Sequence, residues 1–487
     1  MAVDSDLFFA RRLGLGLRPG ETLKGPPRDW AMEQVRSAPA LDFYGPDGTN
    51  LFDKLPPFAK PDESFETASR EWEVYRTKLD ALEAASRKMS NQEFQDRNWK
   101  EIVFPYMRAP VWRDVLVKTL TAVNGPSPVF ERFWMFWCNH FVIAVQDTEI
   151  KLFWGPHGRA IRNRMTGKFA DLLYDAIANP GMLMYLNNDI STGPHSDAAR
   201  RETENNDLNE NLGRELLELH TISPAANYTQ DDVREVALIL TGWQMYAGAI
   251  TNGGRKAKIP YGVRFNPYRH EPGDRTVMGK VYKAKGKGEN LLRELIDDLA
   301  VHPATAKFLA LKLARAFIAD DPPQDSVDAI ATAFSQSGGD MIAVHSVVIE
   351  EVIAKAPQYP KFTTPDQWLL ESYRTTGAPV PLNEPNGSLE SLPWTLKELG
   401  QALEGCPQPD GYSALKSDWL SKELLDRRVR QAYRIGSTVR NLTVEALTEY
   451  TGRLAGTDSP LTRLVQRAES EAVAVAYLLA SPQFLKT

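Results

Sequence analysis

The chain has 487 residues, of which 43% are hydrophobic and 25% charged, with a net charge of -6. That composition excludes an intrinsically disordered chain, and the acidic balance argues against a protein that binds nucleic acid over its whole surface, because such domains are basic. Only Cys138 and Cys406 are present, so neither a disulfide framework nor a cysteine zinc cluster is legible.

The length suits roughly two or three domains. We divide it into an N-terminal helical segment (1–120), a helical core (121–375) and a C-terminal helical segment (376–487), or one continuous unit. "MAVDSDLFFARRLGLGLRPG" lacks the apolar stretch of a signal peptide, and no such stretch follows the Arg11–Arg12 pair. A cytoplasmic protein is expected, or one exported together with a signal-bearing partner.

"SPVFERFWMFWCNHF" (127–141) opens with Ser127 as N-cap and Pro128 at the first helical position. Phe133, Trp137 and His140 share a face, and the helix is aromatic nearly all round, so it is expected to be deeply buried. The next helix, over 208–222, repeats leucine at positions 208, 212, 216 and 219, and Glu215 projects into the same apolar arc at about 100° per residue. A carboxylate there needs a partner. Thr229 and Asp232 form a variant capping box for a helix that continues to Gly242 and Trp243.

Residues 251–288 break the helical pattern. "YGVRFNPYRH" and "RTVMGKVYK" alternate apolar with basic residues between glycine turns, which suits a β-hairpin or ribbon inserted like a lid. Between Arg255 and Lys287 ten Lys or Arg stand against two acids, a local charge of +8. Helical periodicity resumes over 302–323 and 325–357. Pro- and Gly-rich stretches near 45–62, 376–387 and 405–412 read as loops. "EAVAVAYLLASPQFL" is too short to span a bilayer and reads as a packed helix. The fold class is mainly α: a multi-helix array with one short β ribbon.

Several of these stretches carry a resemblance. "FWCNHF" (136–141), "GKFADLLYDAIANPGMLMYLNN" (167–188), "LNENLGRELLELHTIS" (208–223), "YTQDDVREVALILTGW" (228–243), "FNPYRHEPGDRTVMGK" (265–280) and "HPATAKFLALKLARAFIADDPP" (302–323) resemble, in the same order, the large bacterial DUF1800 family. The likeness runs from "RRLGLGLRPGE" to "QPDGY" and "LLDRR". It departs at Glu271, where the family usually has Asp, and at Ser223, where it usually has Gly. The resemblance implies no settled activity. It does imply a partner, because members are often encoded beside a second family that resembles sulfatases and carries an export signal.

Four of the seven histidines, His140, His220, His270 and His302, fall inside these motifs. Glu215 and Glu218 are three apart on one helix, so their carboxylates are neighbours; repulsion raises one pKa or recruits a cation. The functional expectation is a pocket between the 128–141, 208–222 and 230–243 helices, under the ribbon. Glu215, Glu218, His140 and His270 would be its acid–base residues, and Asn139, Asn211, Trp137, Trp243 and Arg269 would hold substrate. The bland expectation pairs Glu215 with Arg214 or Arg234, leaves His140 and His220 donating to carbonyls, and makes Trp137 and Trp243 core.

A divalent metal (Mg, Mn, Ca or Zn) on Glu215, Glu218 and His140 is the weaker alternative, because His220 points roughly 160° from Glu218 and no Glu-x-x-His pair is present. The ten cations with Tyr261, Phe265, Tyr268 and Tyr282 suit an anionic polymer, against a plain solvated hairpin. No P-loop, dinucleotide fingerprint or Gly-x-Ser-x-Gly elbow is present. The expected function is a hydrolase or lyase, with an anionic glycan or similar polymer as candidate substrate; the alternative is a non-catalytic partner of the sulfatase-like protein.

Overall fold

In the computed structural model, residues 4–45, 49–51, 65–86, 88–144, 150–201, 207–246, 249–252, 255–258, 262–382, 391–403, 406 and 408–487 are described. The fold is mainly α, as the periodicity implies, with three short two-stranded antiparallel pairs. No described helix is long and apolar enough to cross a membrane.

The helices begin where the sequence places a cap. At Thr229 the hydroxyl accepts from the Asp232 amide at 3.1 Å and the Asp232 carboxylate accepts from the Thr229 amide at 2.8 Å, so both members of the box are made. His302 caps the Pro303–Phe317 helix through Nδ1, which accepts from the Ala304 amide at 3.1 Å. Pro128 opens its helix as expected, but Ser127 does not cap it. The Val129 amide donates instead to the side chain of Gln34, from another helix, at 3.0 Å.

The helix expected to reach Trp243 stops at Leu240, because Gly242 turns the chain at φ 81°. Trp243 starts a strand instead. Trp243–Tyr246 pairs with Gly262–Phe265, Ala249–Asn252 pairs with Arg255–Lys258, and Arg275–Val277 pairs with Lys280–Tyr282. The expected ribbon is therefore two hairpins, the first starting eight residues early. The side chains of 246–261, Tyr261 and three of the ribbon cations among them, lie outside the described residues.

Buried apolar residues gather in two large clusters. The central one draws on the helices Pro128–His140, Phe169–Ile177, Asn211–Glu218, Gln230–Leu240, Asn290–Val301, Pro303–Phe317, Gln324–Ser337 and Met341–Lys355. The second joins Ala109–Asn124 to Pro365–Thr376 and to the helices between Lys422 and Leu479. Ser5–Leu13 lies in the seam, giving Phe9 and Leu13 to the central cluster and Leu7 and Ala10 to the second.

The arginine pair of that first helix is buried in the seam. Arg11 pairs with Glu371 and donates to the carbonyls of Gln483 and Lys486, both at 3.0 Å, and of Phe484 at 2.6 Å. Arg12 donates to the carbonyls of Ile318 and Tyr359 at 2.7 Å and to that of Thr487. The same final residues pair with 361–363 through Lys361 and Thr487, whose amides and carbonyls exchange bonds of 2.9 Å.

Candidate functional site

Asn211–Glu218 buries Leu212, Gly213, Leu216 and Leu217. Each buried leucine contributes about 1.5–3 kcal/mol. Gly213 brings the helix close to Gln230–Leu240: a Cβ there would sit 3.0 Å from the Ala237 amide nitrogen and 3.1 Å from the Val233 carbonyl. Glu215 and Glu218 lie at the edge of this contact and are half-buried rather than inside the apolar arc.

Neither arginine expected to neutralise Glu215 does so. Arg214 and Arg234 both turn to Glu210, at 3.6 and 3.8 Å, and Gln230 joins the same group. Among the described residues Glu215 has no hydrogen-bonded or ion-pair partner. Burial, then the charge of Glu218, and beyond it Asp410, push its pKa up, with Arg214 opposing. Across from it, Tyr185 is pushed up to about 12, first by burial and then by Cys406, Glu215 and Asp410. Tyr228 is raised by burial and by Glu218. Glu215 therefore lies within electrostatic reach of Glu218, Tyr185, Tyr228 and Asp410, none of them fully buried, and we take these residues as the candidate cleft.

Lys312, on the Pro303–Phe317 helix, lies within electrostatic reach of Asp410 as well. Burial pulls it down to about 8 against the opposing charge of Asp410, and its ammonium lies 5.5 Å from the Phe308 ring centroid. Its charge is also felt by His140 and His220, which lie deeper. His140 is 1% exposed and its Nε2 lies 3.3 Å from the His220 carbonyl oxygen. Burial first, then Lys312, pulls it well below its ordinary value, so at neutral pH it is an uncharged core imidazole packed against Trp137, Phe141 and His220. That removes it from the acid–base role expected of it.

The other expected residues scatter. Trp137 is fully buried, its indole donating to His345 Nε2 at 2.9 Å, and Trp243 is 6% exposed against Tyr174 and Phe265. Both are core, not platforms for substrate. Asn211 is exposed at the first turn of its helix. Asn139 is held by the 408–412 turn, donating to the Tyr412 carbonyl and accepting from the Tyr412 amide, both at 2.8 Å. The contact needs Gly411, whose Cβ would meet the Asn139 carbonyl oxygen at 2.3 Å.

His270 is not carried on a lid. It is 3% exposed, with Nδ1 2.8 Å from the Thr241 carbonyl oxygen, and burial lowers its pKa. Its neighbour Glu271 accepts from the amide and from Nδ1 of His195, at 2.8 and 2.7 Å, pinning the 191–198 segment to this turn. Arg269 sits on the same turn, its guanidinium 3.5 Å from the Ile190 carbonyl oxygen. Hence the pocket expected between the 128–141, 208–222 and 230–243 helices is filled by Leu212, Leu216, Val236 and Ile239. Among the described residues, no three His, Cys, Asp or Glu side chains converge on a metal position, so Glu215, Glu218 and His140 do not form the expected ligand set.

Of the seven ribbon cations whose side chains are described, four are held in ion pairs. Arg275 pairs with Glu235, Lys280 with Asp298, Lys283 with Asp274 and Lys285 with Glu294.

A family model described as "Protein of unknown function (DUF1800)" matches residues 8–486. The chain belongs to this family. The match takes in both clusters of this DUF1800 protein, including the seam residues Arg11 and Arg12. No curated protein and no solved structure is a match.

Lys312, Asp410, Tyr185 and Tyr228 were missed in reading the sequence. For Lys312 a signal existed: a lysine between Leu309 and Leu313 in an apolar helix is as anomalous as Glu215 among leucines. Asp410 gives none, since only the fold brings "QPDGY" to the cleft.

Proposed function

We propose that this DUF1800 protein is an enzyme of hydrolase or lyase type, with its acid–base chemistry in the Glu215 cleft. The observation that carries this reading is the Glu215 carboxylate: half-buried, raised in pKa and without a partner among the described residues, while the charged groups around it pair with one another. A structural brace would have a partner. Glu215 acts as the proton donor and Glu218, its neighbour one turn on, as the base. Burial and the neighbouring Glu218 charge raise Glu215, which suits it to hold and donate a proton. Lys312, about 8, is available as a base in a lyase reaction.

An anionic glycan suits the cleft least of the candidate substrates, because Glu215, Glu218 and Asp410 repel polyanions and four ribbon cations are committed to ion pairs. A neutral glycan that meets Tyr185 and Tyr228 through hydroxyls suits it better. The test is a panel of neutral and acidic polysaccharides given to the wild type, Glu215→Gln and Glu218→Gln. New reducing ends report hydrolysis, and ultraviolet absorbance of an unsaturated product reports elimination. Wild-type turnover that is lost in Glu215→Gln at an unchanged melting temperature is the expected result; turnover undiminished in that variant rules the role out.

A further inference from the structure

A cavity of about 140 Å³ lies against residues 401–403, 406 and 412, and Glu215 is not among the residues that line it. Its walls come from the helices Ala109–Asn124, Pro128–His140, Lys151–Arg164, Pro365–Thr376 and Leu392–Glu398. The lining surface is mostly apolar, with Val115, Met135, Ile143, Leu369, Leu370 and Leu396 contributing to it.

Most polar groups on the wall are already engaged. Asp114 accepts from Arg159 at 2.6 Å, and Asn139 is held by Tyr412. Asp366 accepts from the Gln367 amide at 2.7 Å, and Gln401 accepts from the Asp366 amide at 2.9 Å. His157 is pulled down to about 4 by burial and is uncharged at neutral pH.

Lys118 is different. Asp114, one turn before it, would be its natural partner but is turned to Arg159. Among the described residues no carboxylate lies in ion-pair reach of Lys118. Its ammonium sits instead 4.9 Å from the Trp134 ring and 5.5 Å from that of Trp154, and both rings line the cavity. Two indole faces compensate only part of the hydration a half-buried ammonium gives up, and an anion supplies the rest.

We propose that this cavity binds a small monocarboxylate with a compact apolar body, about the size of benzoate, its carboxylate on Lys118. The size follows from the volume, since an engineered apolar cavity of about 150 Å³ accepts a benzene ring. The charge follows from Lys118, the cation of the wall left without a carboxylate. The inference is independent of the Glu215 reading, because it needs no turnover.

Saturation-transfer NMR on the intact protein tests it, with benzoate, benzyl alcohol and benzylamine as probes. Benzoate is expected to bind saturably and the other two at least about tenfold more weakly, the factor that about 1.4 kcal/mol produces. Lys118→Met, which keeps the apolar stem, is expected to lose benzoate binding by a similar factor, and Lys118→Arg to retain most of it. Benzyl alcohol binding as tightly as benzoate to the wild type would reduce the site to an uncharged hole and overturn the proposal. So would the absence of saturable benzoate binding, or undiminished binding in a folded Lys118→Met.

Discussion

The central core and the terminal seam both bury titratable side chains, by opposite means. In and around the central core, beside the buried Glu131–Arg162 pair, the buried groups are imidazoles: His140, His157, His220 and His345 are each 3% exposed or less. Burial pulls His220 and His345 to about 3 and His157 to about 4, so each gives up its proton and is tolerated as a neutral, nearly apolar ring. In the seam the buried groups are guanidiniums. Burial lowers Arg12 and Arg428 only to about 9 and Arg374 to about 10, and all three stay charged at neutral pH. They are satisfied by carbonyls: Arg374 by Val123 at 2.8 Å, Arg428 by Thr363 at 2.8 Å, Arg12 by Ile318, Tyr359 and Thr487. A group that can discharge needs few partners, and one that cannot must have nearly all of its donors filled.

The contrast makes the central core acid-labile and the seam mutation-labile. The largest effect is expected from pH. A buried histidine whose folded pKa lies below its unfolded value of about 6.5 binds fewer protons folded than unfolded, so its stability contribution is complete above about pH 6.5 and is lost as pH falls towards the folded value. Each such histidine costs up to about 1.4 kcal/mol per pH unit in that window, and His157, His220 and His345 over two units reach the order of 8 kcal/mol, comparable with the whole stability of a domain, with His140 acting in the same direction. Melting temperature is therefore expected to fall steeply from pH 6.5 to 4.5. His220→Leu should flatten the fall, and an equally steep profile in that variant would contradict the account.

Next in size is the seam. Arg11→Met leaves Glu371 buried without its cation and is expected to cost about 3–5 kcal/mol in denaturant unfolding. The deficit should shrink in acid, where Glu371 can take up a proton, so the seam variant is expected to lose stability less steeply than the wild type as pH falls. Thr229→Ala removes one exposed cap and is expected to cost about 1 kcal/mol, a baseline for polar groups outside either region. Smallest is Glu215→Gln, expected to leave stability within about 0.5 kcal/mol, since no partner among the described residues is broken. A loss of several kcal/mol there would restore the reading of Glu215 as a brace.

Caps and periodicity made the helices legible, because both are local: Thr229 and Asp232 contact each other across three residues, and Pro128 acts at its own position. The anomaly of Glu215 was legible for the same reason. Its surroundings were not, since Asp410 and Lys312 come from segments some two hundred and one hundred residues away. His140 and His270 misled because sequence shows that a residue can titrate but not how deeply it is buried, and burial here leaves both neutral. Arg11–Arg12 was weighed only as an export signal. A pair of arginines reads as surface charge until the chain supplies, more than 470 residues later, the carbonyls that engage them.

That distance has a consequence during synthesis. Residues 4–13 leave the ribosome long before the carbonyls of 483–487 are made, and at roughly 5–20 residues per second the interval is about 25 to 95 s. Late in that interval the two guanidiniums of the first helix have Glu371, Ile318 and Tyr359 within the chain already made, but lack the carbonyls of Gln483, Phe484, Lys486 and Thr487. The seam is therefore a completion check: a nascent chain arrested between residues 356 and 482 has all the helices of the central core and still presents an unfinished seam to chaperones and proteases.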